Sequence, residues 1–126
     1  MGTGTQLGRV RGLGAAKSGA HHWWVHRLTS IANLVLVVWL LASLLMLPMH
    51  DFVSMTDWIK QPLVAVPLLI FVANLFHHLR AGLQVVIEDY VHQEGAKIAA
   101  LVLLNAYVIA GAAVGIFCVL KITFGA

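Results

Sequence analysis

Apolar residues in this chain do not alternate or recur as a stripe; they come in long blocks separated by short polar stretches. The first block runs from Ile31 to Leu47, and Val25 to Ser30 extend it backwards to a total of 23 residues. As a helix that is roughly 34 Å, enough to cross a hydrocarbon layer of about 30 Å. Pro48 stops it. A second block runs from Leu63 to Ile87, with Pro67 in its first turns, where early amides lack helical partners and a proline costs little. The third, Ile98 to Leu120, is nearly free of charge, with Asn105 and Tyr107 as its polar exceptions. The pattern predicts an all-α integral membrane fold. Three transmembrane helices cover residues 25–47, 63–87 and 98–120, with loops at 49–61 and 88–97 and a single domain over 1–126. A soluble helical bundle would have to hide on every side apolar runs of the length that reads as a membrane span.

Composition sharpens this picture. The chain is 60% hydrophobic and 10% charged, with mean hydropathy +0.89, against about 25% charged residues in soluble domains. A net charge of +3 and a pI near 9.4 raise the question of nucleic acid. The basic residues are scattered, however, and Arg9, Arg11, Lys17 and Arg27 cluster at the start, a bias that reads as topology and excludes a nucleic-acid partner. Residues 1–22 are expected to form a retained cytoplasmic arm, since the apolar stretch begins too late and lacks the cleavage pattern of a signal peptide. With the N-terminus inside, the 49–61 loop falls outside and the 88–97 loop inside. Trp58, in the outer loop, suits a membrane interface. Cys118 stands alone, which rules out an internal disulfide and a cysteine-rich metal site. Gly111 and Gly115, four residues apart, permit close helix packing.

The candidate chemistry sits in the second block, which carries Asn74, His77, His78, Arg80 and Gln84. Such residues are costly in lipid and face protein, a cofactor or the membrane surface. His77 and His78 point about 100° apart, so they cannot serve one metal from the same face. A haem iron needs one imidazole from each side, so a second helix would supply the other. Gly82 shares the face of His78, and a missing side chain there would let a flat macrocycle approach the backbone. Asp89 returns to nearly that face about 16 Å further along. Tyr90 beside it has a phenol able to donate to a quinone carbonyl, with the carboxylate placed to relay protons. Each residue has a plainer reading: His77 and His78 as interhelical contacts, Tyr90 as an interfacial aromatic, Arg80 as a lipid-interface charge. The first helix opens with His21, His22, Trp23, Trp24, His26 and Arg27. Arg27 either snorkels or pairs with an acidic cofactor group such as a haem propionate. Thr29 and Ser30 suit bonds back to helical carbonyls.

The stretch from His78 to Tyr90 reads H-x3-G-x6-DY, and this resembles the small hydrophobic D-type anchor subunit of bacterial succinate dehydrogenase (complex II). The entry to the first helix, Gly19 to Thr29 with a histidine six positions before an arginine, is similar to the same family, as are three spans in a chain of this length. The resemblance covers nearly the whole chain and implies a place in a multi-subunit helix bundle in the bacterial inner membrane. It implies that His78 is an axial ligand of a haem b shared with a C-type cytochrome b anchor subunit, and that Arg27 and His21 lie near the haem propionates. It further implies that Tyr90, with Asp89 close by, contacts ubiquinone. Succinate would be oxidised at FAD in a flavoprotein subunit, with electrons delivered through an iron–sulfur subunit, so this chain alone would hold no catalytic residue for succinate. The competing readings are a fumarate reductase anchor, a cofactor-free structural membrane subunit and a cytochrome of another respiratory complex.

Overall fold

A computed structural model describes residues 5–7, 18–46 and 51–125. Among the described residues, four helices from Gly19 onwards follow one another: α1 (Gly19–Met46), α2 (Phe52–Lys60), α3 (Pro62–Tyr90) and α4 (Glu94–Phe124). Three of them, α1, α3 and α4, are long and apolar enough to cross a membrane. The expected all-α membrane fold is therefore the observed one. Arg9, Arg11, Lys17, Leu47 and Pro48 lie outside the described residues, as does most of the expected arm.

The helices outrun the apolar blocks. Helix α1 starts at Gly19, so His21 and His22 do open the first helix, and the last residues of the expected arm, 19–22, are helical. Helix α3 continues through Glu88, Asp89 and Tyr90 and ends where the Val91 amide bonds the Ile87 carbonyl. Helix α4 begins at Glu94, which shrinks the expected 88–97 loop to residues 91–93. The reason is physical: hydropathy marks the hydrocarbon layer, whereas backbone hydrogen bonding carries a helix on into the interface. Pro67 correspondingly sits past the first turn of α3, so the Leu63 carbonyl lacks its usual helical donor there.

The expected outer loop also differs, for most of it is helix α2. Asp51 caps it, its Oδ2 accepting from the Ser54 amide at 3.2 Å, and hydrogen bonds from Ser54 hold the carboxyl below its ordinary 3.8. Lys60 lies 3.8 Å from Asp57 on the exposed side. Trp58 is turned inward and stacks on Trp39 of α1, ring centres 6.1 Å apart. It serves as the anchor of α2 against the bundle rather than as an exposed interfacial aromatic.

Helix α3 is central. It packs on α4 along its length and on α1 by its other side, and among the described residues α1 makes no packing contact with α4. Gly111 and Gly115 provide the close approach between α4 and α3, lying against Phe76 and Val72. Among the described residues the buried apolar ones are few: Trp58, Val64, Ala65, Leu104 and Val108. Meanwhile Leu34 is 65% and Leu103 69% exposed. Apolar faces this open suit lipid and partner helices as their surroundings.

Candidate functional site

Because α1 and α3 run antiparallel, the first turns of α1 lie beside the last turns of α3. Polar bonds pin the two helices together there. Asn74 Nδ2 donates to the Thr29 carbonyl at 3.0 Å and to Asn33 Oδ1 at 2.9 Å. One turn further along α3, the half-buried His78 ring faces α1, its Nδ1 3.5 Å from Thr29 Oγ1. The His26 ring lies against it, centres 4.7 Å apart and planes tilted by 39°. Thr29 Oγ1 donates to the His26 carbonyl at 3.0 Å and Ser30 Oγ to the same carbonyl at 2.7 Å, as their types suggest. The Nε2 of His78 has no partner among the described residues.

Two clefts flank this seam. One, of about 610 Å³, is lined by His21, His22, His26, His77, Arg80 and Gln84, among others. The second, of about 520 Å³, holds Trp23, Arg27, Ser30 and Val85. Gly19, His22 and His26 border both. Since α3 is one continuous helix from Pro62 to Tyr90, its register is settled: His78, Gly82, Val85 and Asp89 fall within about 60° of one another on one stripe. That stripe belongs to the side of the Arg27 cleft, through Val85. His77 opens on the opposite cleft, so the two adjacent histidines are divided between environments.

The space along the stripe suits a flat apolar group. A side-chain carbon added at Gly82 would meet nothing within 4 Å, in contrast to Gly111, where it would collide with Phe76. The Arg27 guanidinium lies over the Trp23 ring, 4.9 Å from its centre, and both residues line the second cleft. His21 is not beside it, but lines the other cleft. At the membrane-surface end, Asp89 is exposed and Tyr90 is 78% exposed. The Tyr90 carbonyl accepts from His92 Nδ1 at 3.1 Å, and the phenol has no partner among the described residues. Among the described residues no three histidine, cysteine or carboxylate side chains gather as a metal site.

His26, Thr29 and Asn33 are the members that sequence reasoning passed over or gave only dull roles, whereas Asn74, expected to face protein, a cofactor or the membrane surface, faces protein. Their signal was weak because each is a single polar residue whose partner lies on another helix. Asn33 and Asn74, each inside an apolar block, were the available hint.

The family described as succinate dehydrogenase/fumarate reductase transmembrane subunit matches residues 1–114. A succinate dehydrogenase hydrophobic membrane anchor subunit of Rickettsia bellii is 39% identical over 87 residues, covering 68% of this chain and 69% of that protein. Its counterpart in Rickettsia conorii is 37% identical over the same length and the same shares of both chains. The succinate dehydrogenase membrane anchor subunit of Reclinomonas americana is 28% identical over 92 residues, covering 71% and 77%. No solved structure matches. The H-x3-G-x6-DY stripe on α3, the three spans and these relatives agree: the chain belongs to the succinate dehydrogenase/fumarate reductase transmembrane subunit family, as a membrane anchor subunit.

Proposed function

We propose that this subunit binds haem b jointly with a C-type cytochrome b anchor subunit and builds part of a ubiquinone-reduction site, passing electrons from succinate to quinone. The observation that carries the proposal is the single stripe on α3, with an imidazole at His78, open backbone at Gly82 and the Asp89 carboxylate at its surface end, the Tyr90 phenol following at the next position. Membership in an oxidoreductase complex follows from the family. The flavoprotein with its FAD, the iron–sulfur subunit and the C-type anchor complete the assembly in this reading. The setting is the bacterial inner membrane, with the N-terminus cytoplasmic as the early basic residues favour. The names of the relatives favour succinate oxidation over fumarate reduction.

Each residue has a task. His78 would hold the haem iron through Nε2, with the partner subunit contributing a second ligand. Gly82 leaves room for the ring edge. Arg27, held on Trp23, pairs with a propionate. His21 joins it only towards the membrane surface, where the two clefts share Gly19 and His22. Bound haem supplies a one-electron redox centre between the helices. Tyr90 donates its phenolic proton in a hydrogen bond to a quinone carbonyl, which makes that carbonyl more readily reduced. Asp89, open to water on the adjacent position, delivers protons to the same oxygen.

Tyr90→Phe keeps the ring and removes the donor. Loss of one such hydrogen bond is worth on the order of tenfold in rate. Succinate-driven quinone reduction by the purified complex should fall by about that factor. Succinate oxidation with an artificial acceptor that takes electrons upstream should hold. Equal quinone reduction in variant and wild type would remove Tyr90 from the site.

A further inference from the structure

We infer that Thr29 is a positioning residue for the ligand imidazole: its hydroxyl accepts from His78 Nδ1–H and so fixes the tautomer whose Nε2 lone pair faces the metal. This rests on the reading of His78 as a haem ligand.

The argument begins with the hydroxyl. Thr29 Oγ1 spends its one proton on the His26 carbonyl, 3.0 Å away. What it presents to His78 Nδ1 is therefore a lone pair. A neutral imidazole facing a lone pair keeps its proton on Nδ1, and Nε2 is left as the acceptor. A ligating histidine generally has its second nitrogen held by an oxygen in this way, which fixes the ring and raises its basicity. At 3.5 Å the contact is long, so its influence depends on Thr29 being held in place. Asn74 does this. It sits one turn before His78 on α3 and donates to the Thr29 carbonyl, while its bond to Asn33 Oδ1 fixes its own orientation. Thr29 is thus gripped through its carbonyl by one residue of α3 and presents its hydroxyl to the next residue on the same face. The His26 ring, packed on that of His78, limits rotation of the imidazole plane. The tautomer is assigned from this network.

The chemical consequence is a potential. An Nδ1–H that donates to oxygen makes the imidazole more electron-rich, which favours the ferric state. Removing the acceptor should raise the haem midpoint potential without removing the ligand.

The test compares the detergent-purified complex carrying Thr29→Val, Thr29→Ala and Thr29→Ser with wild type, by redox titration of the haem optical signal. Both Val and Ala lose the acceptor, whereas Ser keeps it. The ferrous-to-ferric ratio at a fixed ambient potential should rise about fivefold in Val and Ala, for a hydrogen bond of ordinary strength. That is a positive shift of about 40 mV at 59 mV per tenfold for one electron. Thr29→Ser should titrate with wild type. If Val fails to assemble, the Ala–Ser comparison decides the matter. Potentials indistinguishable across the variants, with haem present in all, would overturn the role of Thr29 alone. Absence of haem from the wild-type complex would instead overturn the ligand reading on which it rests.

Discussion

The contact between α3 and α4 makes a sharp prediction at Gly111. A Cβ there would lie 2.5 Å from Phe76 Cε1, 2.7 Å from Cζ and 3.4 Å from Cδ1. Ordinary carbon contacts begin near the last of these, so the ring must retreat by about 1 Å. It cannot do so freely, because it is part of the helix seam and lies against Tyr107, centres 6.5 Å apart. Overpacking of this kind costs about 1–3 kcal/mol. Alanine also gains up to about 1 kcal/mol over glycine in helix propensity, so Gly111→Ala alone should lose about 1 kcal/mol. The same change at Gly82 cancels the propensity gain, since a Cβ there meets nothing within 4 Å. The difference between the two variants should therefore isolate the clash, at about 1–3 kcal/mol. Unfolding of the purified chain by SDS titration in mixed micelles, followed by tryptophan fluorescence, measures both. Phe76→Leu added to Gly111→Ala should recover part of the loss, a coupling that purely additive effects would not give. Equal stability of the Gly111→Ala and Gly82→Ala chains would refute the close-packing argument.

Two further outcomes follow from other parts of the fold. Asn74→Leu removes both of its own polar bonds to α1, and at about 0.6 kcal/mol per interhelical bond in a membrane the chain should lose about 1 kcal/mol in the same titration; an unchanged midpoint would show that the pair contributes nothing. Hydrogen bonds from Ser54 depress the Asp51 carboxyl below 3.8, so its folded form binds protons more weakly than its unfolded form. The cap is therefore complete above 3.8 and is lost as pH falls through the depressed value. Fluorescence of Trp58, the anchor of α2, should stay flat down to that point and change only below it, and should titrate differently in Asp51→Ala.

Much of the bundle was legible because a membrane imposes a length. Any helix crossing it must carry about 20 apolar residues, and the blocks around Leu36, Leu69 and Leu104 satisfy this visibly. What lay beyond the hydrocarbon layer was not marked by hydropathy, so the helical turns at 19–22 and 88–90 read as arm and loop. Helix α2 went unread because its apolar face is short, although Asp51 three positions before Ser54 is a capping signal of the usual kind. The stripe from His78 to Asp89 was readable because it lies within one helix, where spacing alone fixes direction. The pairing of Thr29 with Asn74, and of His26 with His78, depends on how α1 lies against α3, which no single segment encodes. The separation of His21 from Arg27 into two clefts follows from their six-residue spacing, about 120° around α1, once 19–22 are helical.

The central claim is that His78 ligates a haem. A dithionite-reduced minus oxidised optical spectrum of the detergent-purified complex, wild type beside His78→Ala, tests it most directly. The account predicts a b-type haem signal in the wild type that is lost or shifted in the variant. A wild-type complex without that signal, or a variant spectrum identical to wild type, would contradict it.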